Sequence, residues 1–123
     1  MKKFILSITA CFMLMLIAFI PPTKTLVGSW VIHYGNDQKI NLNFNNKGII
    51  KVAIPAEQFT VEGKFKFKDG ILYISDTTCG SAYWGKYKET FLSDDSLYSV
   101  MLEDSCIPRK SAMDKAILIR VKI

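Results

Sequence analysis

Few side chains in this sequence are of types that do chemistry, and their spacing limits what they can do. His33 is the single histidine of the 123-residue chain. A Ser–His nucleophile or a zinc site needs partners in fixed register. His33 falls on the strand parity opposite Trp30, which directs it to solvent. Asp94-Asp95 and Glu103-Asp104 are adjacent carboxylate pairs. Neighbouring residues on a strand point to opposite faces, so neither pair converges on one substrate atom. The first reads as a turn and the second as a strand end. No catalytic set emerges, and no metal ligand set or cofactor is expected.

Asp104 and Arg109 are a different case, because they flank Cys106. An Asp–Arg bridge there would fix the loop after a strand. Arg109 also has a fork that suits an anionic head group at a cavity mouth. Tyr83, Trp84, Tyr87 and Tyr98 concentrate aromatic surface in the same region. Inward tyrosines give a pocket an apolar wall with one hydroxyl, and the same residues serve as core packing. The ligand-binding residues expected are Tyr87, Tyr98 and Arg109.

The three cysteines divide by position. Cys11 lies in an apolar N-terminal stretch, which leaves Cys79 and Cys106 as an even pair. In an exported domain such a pair reads as a disulfide. A redox or metal pair would want CxxC spacing or histidine partners, and neither is present.

These residues need elements to position them. Leu26-Val27-Gly28-Ser29-Trp30-Val31-Ile32-His33-Tyr34 opens the chain after the apolar N-terminus, with Leu26, Trp30, Ile32 and Tyr34 on one parity. Gly28, two before Trp30, leaves room for another group to approach that face. Lys39 to Asn45 alternates strictly, with Ile40, Leu42 and Phe44 inward and asparagines outward. Further strands follow at Ile49 to Ile54, Phe59 to Phe67, Ile71 to Ser75, Tyr83 to Leu92 and Leu97 to Glu103. Lys68-Asp69-Gly70 is a tight hairpin turn. Pro108 at a first helical position starts one or two helical turns over 107–114. Ala116 to Ile123 is the eighth strand. Eight short strands with tight turns predict an all-β barrel or sandwich, and hairpin connections throughout favour an up-and-down meander.

Met1-Lys2-Lys3 precedes 17 uncharged residues, Phe4 to Ile20, which Pro21-Pro22 ends. Residues 1–23 therefore read as a signal peptide or membrane anchor, leaving 24–123 as one domain. Seventeen residues is long for a cleaved signal and at the short limit for a span. Ile8-Thr9-Ala10-Cys11 superficially fits a lipidation box. Lys2 and Lys3, on the near side of the apolar run, place the domain beyond it outside the cytoplasm. Net charge is +5; without Lys2 and Lys3 the domain holds 14 basic and 11 acidic residues, or +3. The lysines are scattered along strands. Even Lys64-Phe65-Lys66-Phe67-Lys68 reads as a half-buried strand with a solvated face, so no nucleic-acid partner is expected.

Two groups of residues carry a family resemblance. One is Leu26-Val27-Gly28-Ser29-Trp30. The other runs Asp76-x-x-Cys79-Gly80, Gly85-x-Tyr87, Leu97, then Asp104-x-Cys106-x-x-Arg109. They make the chain, over 26–121, resemble the lipocalin-like domains of bacterial exported proteins, in the calycin group. The resemblance implies an eight-stranded barrel around a cavity for one small apolar molecule, in the periplasm or cell envelope. It also maps Arg120 of the last strand onto Trp30, as a structural pair at the closed end. About 100 residues is short for a lipocalin, which implies a shallow or filled cavity. The function expected is non-enzymatic binding of a small apolar or amphipathic ligand, with membrane association through residues 4–20. The alternative is a filled scaffold that contacts a protein partner, and a lipocalin-type isomerase ranks last.

Overall fold

Period-two alternation gives each strand one buried face. The computed structural model describes residues 25–80 and 83–122 and shows eight such strands. They are β1 (Gly28–Tyr34), β2 (Gln38–Phe44), β3 (Ile49–Ile54), β4 (Phe59–Lys68), β5 (Ile71–Asp76), β6 (Trp84–Ser93), β7 (Ser96–Glu103) and β8 (Ala116–Arg120). A 3-10 turn, Pro55–Glu57, joins β3 to β4, and a helix α1 (Ile107–Met113) joins β7 to β8. Each strand pairs antiparallel with the next and β8 pairs with β1, closing a barrel in up-and-down order. Of the two architectures that the strand pattern allowed, the chain adopts the barrel. The expected signal or anchor, and the fate of Cys11, lie outside the described residues.

Local chemistry sets the turns. Asp69 and Gly70 both take positive φ, 55° and 77°. That is the pair of left-handed residues a two-residue type I′ hairpin needs, and its twist matches the flanking strands. Pro55 cannot donate to the ladder, so β3 ends before it.

The inward faces meet in one apolar cluster that includes Leu26, Trp30, Phe44, Ile50, Leu72, Ile74, Tyr87, Leu97, Met113 and Leu118. Trp30 is fully buried, and its Nε1 donates to the Leu26 carbonyl at 2.8 Å. It floors the closed end, where β1 begins and β8 ends. The opposite end carries the β1–β2 turn, the 3-10 turn, the loop after β5 and α1. Met113 and Ala112 seat α1 on the core, and the Cys79–Cys106 disulfide ties the residue before α1 to the loop after β5.

Candidate functional site

The barrel is filled on one side and hollow on the other. Tyr87, Glu89, Leu97, Ser99 and Leu118, from β6 to β8, are all buried. Against β1 to β5 and under α1 there is a cavity of about 590 Å³. Such a volume lies in the range of small-molecule sites. Its walls are aliphatic: Ile40, Leu42, Ile50, Val52, Ile54, Val61 and Ile74, with Met113 and Ala112 of α1 above them. β3 presents Ile50, Val52 and Ile54 here and β4 presents Val61 and Phe59, whereas Trp30, Phe44 and Tyr87 fill other parts of the barrel.

Polar groups stand on one side of this apolar chamber. Tyr34, Glu57, Asp76, Thr78, Arg109 and Ser111 all line it. The Tyr34 hydroxyl is buried without a hydrogen-bond partner among the described residues.

Arg109 is held by a buried network. Its Nε donates to Asp104 Oδ2 at 2.7 Å and its Nη2 to Asp104 Oδ1 at 2.9 Å. Nη2 also donates to the Tyr83 carbonyl at 3.1 Å, and Nη1 to Asp76 Oδ1 at 3.3 Å. The Tyr87 hydroxyl donates to Asp104 Oδ2, and the Cys106 amide donates to Asp104 Oδ1. Burial alone would oppose ionisation of Asp104. The hydrogen bonds from Arg109, Tyr87 and Cys106 outweigh it and hold the carboxyl below its usual range. Burial, then the bond to Asp104, push the Tyr87 phenol up, so it stays protonated. Burial likewise works against the charge on Arg109, and its carboxylate partners more than restore it. Gly85 makes the arrangement possible, since a Cβ there would lie 2.5 Å from Asp104 Oδ2.

The three residues expected to bind ligand are thus separated. Arg109 reaches the cavity, already hydrogen-bonded to two carboxylates. Tyr87 is buried on the filled side with its hydroxyl engaged by Asp104. Tyr98 lies on the outer face, because its neighbours Leu97 and Ser99 are the pair turned in. His33 is exposed. Glu57, Thr78 and Ser111 were not singled out from the sequence; they come from loops and a short helix, where no periodicity marks an inward residue. Tyr34 carried a signal in its parity with Trp30.

At the closed end the guanidinium carbon of Arg120 lies 4.2 Å from the centre of the Trp30 ring. Its Nη1 and Nη2 donate to the carbonyls of Val27 and Thr25. Gly28, at φ 135°, leaves that guanidinium space: a Cβ there would meet Nη1 at 2.8 Å. The group that approaches Gly28 is a side chain of the last strand.

Comparison with protein-family models gives no match, and comparison with curated proteins gives no significant match.

Proposed function

We propose that this chain is an exported, non-enzymatic, lipocalin-like barrel that takes up a small apolar or amphipathic molecule. The observation that carries this reading is the aliphatic cavity of about 590 Å³ with its polar groups on one side. The Cys79–Cys106 disulfide is consistent with a compartment outside the cytoplasm. Among the described residues, the cavity's titratable groups are carboxylates, a phenol and an arginine bonded to two carboxylates. The test is titration with the neutral apolar fluorophore N-phenyl-1-naphthylamine. Saturable binding is expected, and Val52→Phe, which fills the chamber, abolishes it while circular dichroism is unchanged. A wild-type protein that does not bind, or a Val52→Phe variant that binds equally, overturns the reading.

One observation favours a second reading. Tyr83 and Trp84 are 53% and 40% exposed side by side where β6 begins. Aromatic surface of this kind suits a contact with another envelope protein. A photo-crosslinker at position 84 that captures one defined partner in cells would support the scaffold role; capture of nothing would remove it.

A further inference from the structure

The chemistry of the cavity's polar groups bears on which end of an amphiphile fits there, an inference that rests on the binding reading above. Among the residues lining the chamber, the charged ones are Glu57, Asp76 and Arg109. Asp104 stands directly behind Arg109 and chelates it through both carboxylate oxygens. The locality therefore holds three carboxylates against one guanidinium. An incoming carboxylate or phosphate would have to compete with Asp104 and Asp76 for Arg109, while facing Glu57 and Asp76 itself. Asp76 is buried and Glu57 is exposed at the cavity mouth, so the sign of an incoming charge is felt most strongly at Asp76. An ammonium group meets the reverse situation. Glu57, Asp76, the hydroxyls of Thr78 and Ser111 and the unpartnered oxygen of Tyr34 can all accept a hydrogen bond.

We propose that the cavity selects a cationic amphiphile: an aliphatic body among Ile40, Leu42, Ile50, Val52 and Ile54, with an ammonium head beside Glu57 and Asp76. Of the lysines that make the chain basic overall, Lys110 stands exposed on α1 next to Arg109, and those of β3 and β4 do not oppose this. Lys51, Lys64 and Lys66 are exposed on the outer wall, on the strand face opposite the cavity. At physiological salt their field decays within about 8 Å.

The experiment is displacement of bound N-phenyl-1-naphthylamine by three molecules of equal chain length, each below its micelle concentration near neutral pH: dodecylamine, dodecanol and dodecanoate. Dodecylamine is expected to bind about tenfold more tightly than dodecanoate, with dodecanol between them. Glu57→Gln narrows the gap severalfold, whereas Glu62→Gln, the same charge change on the outer wall, leaves it intact. Dodecanoate binding as tightly as dodecylamine, or a gap unmoved by Glu57→Gln, overturns the head-group assignment and leaves the apolar cavity standing. Failure of the fluorophore and all three chains to bind overturns both.

Discussion

Arg120 and Trp30 face each other across the β8–β1 seam, directly paired in register, with the guanidinium over the indole. The same guanidinium donates to Thr25, Val27 and Asp94 carbonyls, joining the start of the barrel, its last strand and the β6–β7 turn. Arg120→Ala removes the cation–π contact and three hydrogen bonds, and is expected to cost about 2 kcal/mol. Trp30→Ala, which empties the floor, is expected to cost about 3–5 kcal/mol. Urea midpoints read both. A near-neutral Trp30→Ala would remove Trp30 from the core.

Glu89 is expected to give the barrel an unusual pH dependence. It is buried, Ser99 Oγ donates to its Oε1 at 2.7 Å, and its Oε2 has no hydrogen-bond partner among the described residues. Burial pushes its pKa up to about 7, with the Ser99 bond opposing in part. A carboxyl that holds its proton more tightly when folded binds more protons in the native state between its unfolded value and 7. Stability therefore falls as pH rises through that window and levels off above it, by about 3 kcal/mol in all. Glu89→Gln should flatten this slope and raise stability above pH 7. A wild-type and variant difference that does not change across the window would contradict the assignment.

Asp104 acts in the opposite sense. Its folded pKa is lowered, so its contribution is present above the unfolded value and is lost as pH falls through the folded one. Asp104→Asn leaves a buried Arg109 short of its main counter-charge, and about 3–5 kcal/mol of destabilisation is expected. Equilibrium unfolding near neutral pH reads it.

Reduction of the disulfide should destabilise the barrel without dismantling its strand pairing. Cys79 and Cys106 are 27 residues apart, and closing such a loop is worth about 3.5 kcal/mol by chain entropy. The Cys79→Ala/Cys106→Ala double variant is expected to lose roughly that amount, with its β-sheet signal retained. An unchanged midpoint would show the bond to be superfluous.

How far the structure could be read from the sequence depended on periodicity. The strict alternation of Ile40, Leu42 and Phe44 gave β2, and repeated short strands with hairpin turns gave an up-and-down all-β topology. Closure was expected from the family resemblance and from Gly28 two before Trp30; the alternation alone does not decide it, because a barrel and a sandwich bury the same alternating faces. The position of Tyr98 was ambiguous for a related reason: Leu97 and Tyr98 are both suited to an interior, and only one parity can win it. Whether the cavity that the resemblance implied is open, shallow or filled was beyond reach, since it depends on how deeply Met113 and Ala112 seat α1 over the side chains of β3 and β4. The Asp104–Arg109 bridge was suggested by spacing around Cys106. Its other partners, Asp76 and Tyr87, come from strands far away in sequence.

The most direct measurement is methyl NMR of the protein titrated with dodecanol. Shifts should be confined to the inward methyls of the cavity walls, Ile40, Leu42, Ile50, Val52, Ile54, Val61, Ile74, Ala112 and Met113. Ile117 and Ile119, on the outer face of β8, should stay still. Shifts at Ile117 and Ile119 with silence from the inward set would contradict a hollow barrel that holds an apolar molecule.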